Sequence, residues 1–308
     1  MKRIVLTGAT SMLGLSLIEE CLKNNMEVVA IIRKNSPRKN NLPESQSIKI
    51  VECDISNLSS LENSISHGFD AFYHFAWEGT SSIERSNILL QSKNIGFTLD
   101  AVHLAHSLGC KKFIGAGSQA EYGRKSSIIS TDMSVSPENA YGIAKYTAGK
   151  FSALLAMEIS IEFIWTRIFS VYGQHDTPNS MIMYCAKSLL SGEKPKFTPS
   201  EQKWDYLYCH DAAKALYLLM EKGLNQKVYN IGSGIAHPLS YYIYKIRDVI
   251  DPTLPVGIGE LNYNSSQVMS LHADISDLTD DTGFLPSTSF EDGILETVKW
   301  MQCEDERQ

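Results

Sequence analysis

Apolar residues in the first half of the chain follow two alternating spacings. Short runs rich in β-branched and aromatic residues, typical of buried strands, occur at residues 4–7, 28–32, 48–51, 71–76, 113–116 and 161–168. Between these runs, apolar residues recur at helical spacing at residues 13–22 and near residues 58–66, 83–108 and 139–157. Strands that alternate with helices predict an α/β fold with a doubly wound parallel sheet.

The pattern changes after residue 172, and most of the ten prolines lie beyond that point. Two later stretches, residues 205–215 and 228–231, return to the pattern of the first half. We therefore predict two lobes that interleave along the chain. A larger, Rossmann-type domain comprises residues 1–172 and about 205–234, and a smaller α/β C-terminal lobe comprises residues 173–204 and 235–308.

Composition excludes several classes of protein. With 308 residues, of which 43% are hydrophobic and 20% charged, the chain can bury a large core, which excludes disorder. Its net charge of -7 provides no basic surface for nucleic acid. No apolar run reaches the ~18 residues of a membrane span, and no signal sequence precedes the first strand, so we expect a cytoplasmic protein. The six cysteines and eight histidines are dispersed, which indicates neither a disulfide nor a metal site.

A turn that contains two glycines joins the first strand to the first helix. Small residues there allow backbone N–H groups and the helix N-terminus to meet a pyrophosphate. The alternative interpretation is a tight turn that needs glycine for steric reasons alone. We predict that the turn binds a dinucleotide through Gly8, Thr10, Ser11, Met12, Leu13 and Gly14.

The second strand ends at Arg33, where a dinucleotide site for NAD would have an acidic residue that accepts from the ribose 2′-hydroxyl. Arg38 follows closely, so the site favours a 2′-phosphate. We therefore predict a preference for NADP(H), with NAD(H) as a second possibility; a solvated strand end is the alternative interpretation. Past the third strand, Asp54 and Ile55 are placed to hold the adenine, although Asp54 could equally cap the next helix.

A Tyr and a Lys four residues apart share one helical face, and the ammonium can lower the tyrosine pKa toward neutrality. The spacing occurs in three pairs, which are Tyr141/Lys145, Tyr146/Lys150 and Tyr241/Lys245. Their positions in the chain distinguish the three pairs. Tyr141 begins the helix after the fifth strand, which ends at Ser118, and ligands of such sheets bind beyond the carboxyl ends of the strands. Only Tyr141 can therefore share a site with Ser118, because Tyr146 lies about 140° farther around the helix. We predict that Ser118, Tyr141 and Lys145 form a catalytic group near Phe75 and Ala76 at the end of the fourth strand.

These motifs together resemble an extended short-chain dehydrogenase/reductase of the NAD-dependent epimerase/dehydratase group, which acts on nucleotide sugars. The resemblance covers nearly the whole chain and rests on Thr7-Gly8-Ala9 with Gly14, Cys53-Asp54-Ile55, Asp70 with residues 73–76, Asn94, Gly117-Ser118, Tyr141 to Lys145, and residues 167–173 and 205–211.

The resemblance implies that Tyr141 is the acid/base, that Ser118 hydrogen-bonds the reacting oxygen and that Lys145 binds the nicotinamide ribose. It places Asn94 and Ile168 near the cofactor as well. It makes the first lobe the NAD(P)-binding domain and the second the substrate-binding lobe. The helices near residues 83–108 and 139–157 are then expected to pair with a second subunit in a four-helix bundle, which implies a homodimer.

The chain also departs from the family pattern. Ser11 replaces the middle glycine of the loop, and Ile168 and Ser170 replace a Pro and an Asn. Trp204 stands where many relatives have an Arg, so sugar or nucleotide binding is expected to differ from the epimerase norm. The second lobe supplies most substrate contacts; our candidates for the substrate site are Gln119, Tyr172, Lys203, Trp204 and Gln267.

The leading hypothesis is an NADP(H)-dependent 4-ketoreductase that reduces a nucleotide-diphosphate 4-keto-6-deoxysugar at C4, in deoxysugar or polysaccharide biosynthesis. A NAD-dependent nucleotide-sugar 4-epimerase would use the same residues, and only Arg33 argues against it. A 4,6-dehydratase is disfavoured because Gln119 and Ala120 replace the acid pair of that reaction. A non-catalytic dinucleotide-binding sensor is a distant alternative, and the complete Ser118, Tyr141 and Lys145 set argues against it.

Overall fold

The structure is a computed structural model and describes residues 1–264 and 267–305. The strands of the described residues are β1 (Arg3–Thr7), β2 (Glu27–Ile32), β3 (Ile48–Glu52), β4 (Ala71–His74), β5 (Lys112–Ser118), β6 (Glu162–Ile168), β7 (Ser170–Tyr172), β8 (Lys203–Tyr208), β9 (Lys227–Ile231), β10 (Ala236–Pro238) and β11 (Ser270–Leu271). The helices are α1 (Met12–Lys23), α2 (Ile88–Ser107), α3 (Ala140–Glu158), α4 (Met181–Leu190), α5 (Cys209–Lys222), α6 (Leu239–Ile250), α7 (Ser276–Thr282) and α8 (Phe290–Asp305). Among the described residues, no helix is long and apolar enough to cross a membrane.

The main sheet confirms the predicted doubly wound fold. Its seven parallel strands lie in the order β3-β2-β1-β4-β5-β6-β9. Alternate strand residues face opposite layers. Ile4 and Leu6 pack in a core with residues of α1 and α5, whereas Val5 and Phe72 pack in a second core with residues of α2 and α3. Helices therefore cover both faces of the sheet, and its carboxyl edge remains open for a site.

Three predicted elements have different bounds. The helix expected near residues 58–66 is a 3-10 helix, Ile55–Leu61, which contains a non-helical residue at Asn57. The fourth strand ends at His74 rather than at residue 76. The helix expected from residue 83 begins at Ile88, because the Asn87 side chain accepts from the Leu90 N–H at 3.1 Å and caps it there.

The smaller sheet includes a strand that the sequence pattern assigned to the larger lobe. Strand β8 was expected to belong, from residue 205 onward, to the larger lobe, but it pairs with β10, β11 and β7. The reason is its aromatic face: Tyr206 and Tyr208 pack among residues of α6 and α8. The chain returns to the main sheet with α5, which packs on α1, and with β9. The division of the whole chain into two domains stays a prediction.

A buried carboxylate joins the two sheets. Asp205 of β8 is fully buried and accepts from the backbone N–H and hydroxyl of Ser233, each at 2.7 Å. It also accepts from the N–H groups of Gly234 and Ala273, each at 3.1 Å. A buried carboxylate is tolerated only when it is fully hydrogen-bonded. Asp205 therefore fixes the smaller sheet to the loop that follows β9.

A buried lysine fixes the other end of the main sheet. Lys112, at the start of β5, is 7% exposed, and its Nζ donates to the carbonyl oxygens of Met220 and Gly223 at 3.1 and 3.0 Å. These carbonyls lie at the C-terminus of α5, where the last turn lacks intrahelical donors. The positive charge also complements the helix dipole there. Lys112 thus couples β5 to α5.

We expect Lys112→Met to lower the free energy of unfolding by about 2–4 kcal/mol, because buried carbonyls lose a charged donor. Urea unfolding with an unchanged m-value measures the effect. The matched control is Lys111→Met. The Lys111 side chain is 76% exposed and pairs with Asp70 at 2.8 Å, so its loss should cost less than about 1 kcal/mol. Equal losses in the two variants would contradict the role assigned to Lys112.

Candidate active site

A cleft of about 680 Å³ opens beside the carboxyl ends of β1, β2 and β4. Ligands of doubly wound sheets bind at this edge. Several predicted cofactor contacts line the cleft, and they are Gly8, Thr10, Ser11, Arg33, Ile55, Phe75 and Ala76.

The glycine turn is closely packed on both sides. Gly8 has a φ of 71°, and a Cβ there would lie 2.8 Å from the Ala76 nitrogen. A Cβ on Gly14 would lie 2.4 Å from the Gly8 oxygen. Ser11, the departure from the family pattern, caps α1: its Oγ accepts from the Gly14 N–H at 3.1 Å and donates to the Gly8 oxygen at 2.7 Å. The turn and the helix N-terminus therefore fit a dinucleotide pyrophosphate, which a larger side chain would displace.

Of the other predicted cofactor residues, Met12, Leu13, Asp54 and Ile168 present no side chain to this cleft, and Gly14, Asn94, Tyr141 and Lys145 do not line it either. Leu13 is buried in the core of the main sheet, and Met12 packs with the core of the smaller lobe, so only their N–H groups face a ligand at the turn. Asp54 accepts from the Ser56 N–H and hydroxyl at 3.0 and 2.7 Å, which makes it a helix cap, the alternative interpretation. Ile168 packs against the core.

Basic side chains line one end of the cleft. Arg33 and Arg38 are both exposed there, and neither forms an ion pair within residues 1–264 and 267–305. Hydrogen bonds from Ser56 lower the pKa of Asp54, and the charge of Arg33 lowers it further. Two guanidinium groups are thus available to an anionic ligand at this end.

Ser118 ends β5 in a capping box. Its N–H donates to Glu121 Oε1 at 2.9 Å, and its Oγ accepts from the Ala120 N–H at 3.2 Å. The N-terminus of α3 lies against this turn, because a Cβ on Gly142 would come within 2.5 Å of the Ala120 oxygen. The close approach of α3 brings the Tyr141 side chain near that of Ser118, and the Ser118 hydroxyl favours the ionised form of Tyr141.

Tyr141 is 9% exposed and lies between an indole and a guanidinium. The Trp77 ring meets it edge-on at 6.0 Å between centroids, and the Arg85 guanidinium carbon lies 4.7 Å from its centroid. Burial raises the pKa of Tyr141, while the charge of Arg85 and the neighbouring Ser118 hydroxyl oppose that rise. The net shift is upward, whereas the Tyr/Lys spacing predicted a lowering by Lys145.

The surroundings of Lys145 explain the difference. Its Nζ donates to the Ala116 oxygen at 2.6 Å and lies 3.7 Å from the Trp77 ring centroid, but 5.9 Å from that of Tyr141. Burial lowers the pKa of Lys145 to about 7, against the attraction of Glu121. Lys145 is consequently only partly charged at neutral pH, and its charge faces the indole more closely than the phenol.

The two other Tyr/Lys pairs show that spacing alone does not distinguish a site. Lys150 Nζ lies 5.8 Å from the Tyr146 ring centroid, and Lys245 Nζ lies 5.4 Å from that of Tyr241. These separations match that of Tyr141 and Lys145. The burial of Tyr141 and its contact with Ser118 are what separate the first pair from the others.

The Glu121 carboxylate is fully buried beneath the site and points into the protein. It accepts from Trp165 Nε1 and Arg167 Nε, each at 2.9 Å. Glycine provides the space, since a Cβ on Gly117 would lie 2.4 Å from Glu121 Oε1. All of these partners support the Ser118 turn from below, so Glu121 does not face the cleft.

Asn94, predicted to approach the cofactor, instead holds the loop that follows β4. Its amide accepts from the Glu78 N–H at 2.8 Å and donates to the Glu78 oxygen at 3.0 Å. One turn earlier, Gln91 accepts from Trp77 Nε1 at 2.8 Å and donates to the Gly79 oxygen at 2.7 Å. Helix α2 therefore fixes the loop that presents Trp77 to the cleft.

Sequence reasoning missed three residues of this region, which are Trp77, Gln91 and Arg85. Trp77 was recognisable, because it directly follows the predicted strand end at the ligand-binding edge. Gln91 precedes Asn94 by one helical turn, which places both on the same face. Nothing in the sequence pattern distinguishes Arg85 from other loop arginines.

The predicted substrate residues do not form one surface. Tyr172 is 1% exposed, and its hydroxyl donates to the Phe290 oxygen at 3.2 Å, so it belongs to the core of the smaller lobe. Gln119 adjoins Ser118, whereas Lys203 is exposed at the start of β8. Gln267 Nε2 donates to the Val268 oxygen at 3.3 Å.

Two departures from the family pattern contact each other. Trp204 Nε1 donates to Ser170 Oγ at 2.7 Å. The indole is half-buried where the cores of the smaller lobe meet. The position at which many relatives have an arginine is thus filled by an aromatic ring whose polar atom is already bonded.

In the described part of the chain, no group of three or more His, Cys, Asp or Glu side chains could hold a metal ion.

Comparison with known proteins agrees with this architecture. The chain is 23% identical to a dTDP-4-dehydro-6-deoxyglucose reductase of Escherichia coli, over 97% of this chain and 98% of that protein. It is 25% identical to a CDP-abequose synthase of Salmonella muenchen, over 95% and 96% of the two chains. The solved structure of a UDP-N-acetylglucosamine 4-epimerase from Methanobrevibacter ruminantium, in complex with UDP-N-acetylmuramic acid, matches with a TM-score of 0.89 and 24% identity, over 98% and 99% of the chains.

The sequence profile described as the NAD dependent epimerase/dehydratase family matches residues 4–232, about three quarters of the chain. The chain therefore belongs to the NAD dependent epimerase/dehydratase family, as an extended short-chain dehydrogenase/reductase enzyme of the kind that acts on nucleotide sugars.

Proposed function

We propose that the protein is an NADP(H)-dependent reductase of a nucleotide-diphosphate 4-keto-6-deoxysugar, acting at C4 in deoxysugar or polysaccharide biosynthesis. The observation that favours reduction is the pair of unpaired guanidinium groups, Arg33 and Arg38, at one end of the cleft. They suit the 2′-phosphate of NADPH, which is consumed in reductions. Two relatives, the dTDP-4-dehydro-6-deoxyglucose reductase and the CDP-abequose synthase, support the choice of a deoxysugar.

Most of the residues that would hold the cofactor line the cleft. The turn at Gly8, Thr10 and Ser11 would bind the pyrophosphate, and Arg33 the 2′-phosphate. Lys145 does not line the cleft itself but lies over Trp77, which does, and would bind the nicotinamide ribose. When bound, the nicotinamide supplies or accepts the hydride. Lys145 would exchange its Ala116 contact for the ribose, which keeps a buried ammonium hydrogen-bonded.

The protein groups would supply the proton and stabilise charge. Burial keeps Tyr141 protonated at neutral pH, which suits a residue that donates its phenolic proton to the oxygen forming at C4. Ser118 Oγ already accepts from the Ala120 N–H, so its hydroxyl would meet that oxygen as a donor.

A NAD-dependent nucleotide-sugar 4-epimerase is the second candidate. The structural similarity to a UDP-N-acetylglucosamine 4-epimerase favours it, and Ser118, Tyr141 and Lys145 would serve it equally. A 4,6-dehydratase has less support, since the nearest acid to Ser118, Glu121, is buried and bonded to Arg167. A protein that only binds a dinucleotide as a sensor would not need the Ser118 hydroxyl as a hydrogen-bond donor, so the presence of Ser118 favours an enzyme.

The protein is also proposed to form a homodimer through α2 and α3. The face of α3 toward the sheet is made of small residues such as Ala148 and Ala156, while Phe151, Leu154 and Met157 point outward and are 50%, 60% and 55% exposed. This distribution is the reverse of an ordinary surface helix. Apolar side chains on an outer face suit a second copy of the same helix pair in a four-helix bundle.

The reaction is tested with purified protein, NADPH or NADH, and UDP-, dTDP-, GDP- and CDP-linked 4-keto-6-deoxysugars. We expect stoichiometric loss of NADPH absorbance with one nucleotide series. Tyr141→Phe should reduce turnover by about 10²–10⁴-fold without loss of cofactor binding, because it removes the proton donor. Tyr146→Phe is the matched control and should retain activity. Interconversion of 4-hydroxy epimers without cofactor consumption would establish the epimerase instead.

Arg33→Ser should weaken NADPH binding by about 10-fold or more and leave NADH binding nearly unchanged, because it removes a charged bond to the 2′-phosphate. Quenching of Trp77 fluorescence by each cofactor measures the two dissociation constants. Lys49→Ser removes an exposed cation of β3 outside the cleft and should change neither. Equal effects of Arg33→Ser on the two cofactors would refute the predicted preference.

Leu154→Glu should convert the dimer to a monomer, because it places a charge in the proposed apolar interface. Light scattering after size exclusion gives the mass. Leu224→Glu is the control, since Leu224 is 51% exposed in the turn after α5. A parent protein that elutes as a monomer would contradict the proposed interface.

A further inference from the structure

Arg85 reaches the candidate active site from a loop, and no part of the proposed mechanism yet requires it to be an arginine. It lies in the 3-10 helix Glu84–Ser86, between β4 and α2. Its guanidinium carbon lies 4.7 Å from the centroid of the Tyr141 ring. Trp77 meets Tyr141 edge-on, and Lys145 lies over Trp77. The four side chains are therefore in contact in the order Arg85–Tyr141–Trp77–Lys145.

We infer that Arg85 is a positioning residue that holds the Tyr141 ring and supplies the permanent positive charge beside it. This role rests on the proposed function of Tyr141 as acid/base. In the family resemblance that charge belongs to the lysine four residues after the tyrosine. Here Arg85 is nearer to the Tyr141 ring than Lys145, at 4.7 against 5.9 Å, and a guanidinium stays charged at every working pH.

The loop holds Arg85 in place. Arg85 Nε donates to the Thr80 oxygen at 2.9 Å. Gln91 Nε2 donates to the oxygens of Gly79 and Glu84 at 2.7 and 3.1 Å, which fixes both sides of that contact to α2. The Glu84 carboxylate accepts from the Ser81 N–H at 3.4 Å and so stays within the loop. The Arg85 guanidinium is therefore directed at the Tyr141 ring by its hydrogen bond to the Thr80 oxygen and by the two hydrogen bonds with which Gln91 holds the loop.

Other ionisable groups near Tyr141 do not duplicate this charge. Glu121 opposes it, although Arg167 pairs with Glu121 at 2.9 Å. His74 contacts Thr7 Oγ1 at 2.9 Å, and burial lowers the pKa of His74 to about 3, so it is neutral. Lys145 is only partly charged at neutral pH. Removing Arg85 should consequently raise the pKa of Tyr141, since the tyrosinate loses its nearest fixed cation.

The test measures this ionisation without turnover. The protein is labelled with fluorotyrosine, whose ring fluorine makes the phenol more acidic, and Tyr141→Phe identifies the fluorine NMR signal of Tyr141. We expect Arg85→Met to shift the titration of that signal upward by roughly half a unit to one unit. Arg85→Lys should retain most of the parent value, because the charge remains. Arg124→Met removes another exposed loop arginine, paired with Glu138 at 2.7 Å, and should leave the titration unchanged.

Compensation by Lys145 is measured directly. Arg85 also lowers the pKa of Lys145, so its loss lets Lys145 hold a proton to higher pH. The titrations of the parent protein and of Arg85→Met are therefore also compared in a Lys145→Met background, where we expect the larger upward shift of the Tyr141 pKa. An unshifted signal in both backgrounds overturns the inference. An equal shift in Arg124→Met also overturns it, because the effect would then be one of net charge.

Kinetics separate this inference from the proposed function. For a reductase, the fall of kcat/KM at high pH reports loss of the Tyr141 proton, and Arg85→Met should move that limb to higher pH. A lower rate with an unmoved limb would indicate a merely structural role and would overturn the inference. An upward NMR shift in a protein that reduces none of the ketosugars would support the inference about Arg85 and refute the reductase.

Discussion

The burial of the Glu121 carboxylate is the constraint on which the candidate site depends. A carboxylate in the protein interior is tolerated only when both of its oxygens find donors. Glu121 meets this demand with the Ser118 N–H, Trp165 Nε1 and Arg167 Nε, three donors from two adjacent strands. The same bonds fix the turn at the end of β5, and the turn fixes where the Ser118 hydroxyl points. The position of the Ser118 hydroxyl at the site therefore depends on the hydrogen bonds of the buried Glu121 carboxylate.

Desolvation acts on the two titratable residues of the site in opposite directions. Burial raises the pKa of Tyr141 and lowers that of Lys145 to about 7. The phenol is therefore kept as a proton donor while the amine is brought to a value at which it can gain or lose a proton. Both shifts follow from low exposure, 9% for Tyr141 and 4% for Lys145. The fold produces this pair of shifts by close packing of α3 on β5.

The sequence predicted the layers of the fold and the central residues of the site, because both depend on local pattern. Alternating strands and helices determine a parallel sheet, and the sheet determines that Gly8, Ser118 and Tyr141 share one edge. Side-chain direction was not predictable in the same way. Tyr172 and Asp54 have the residue types of a binding site, yet one completes a core and the other caps a helix. Arg85 reaches Tyr141 only through a loop conformation that distant Gln91 maintains.

The hydrogen bond between Trp204 and Ser170 couples two departures from the family pattern. An arginine at position 204 would lose the indole packing, and an asparagine at position 170 would crowd the ring that now bonds to Ser170 at 2.7 Å. Changing either residue alone to the family type would remove this bond, so the effects of the two changes on stability should not add. The smaller sheet is thus packed around an aromatic ring at a position where the family pattern has a cation.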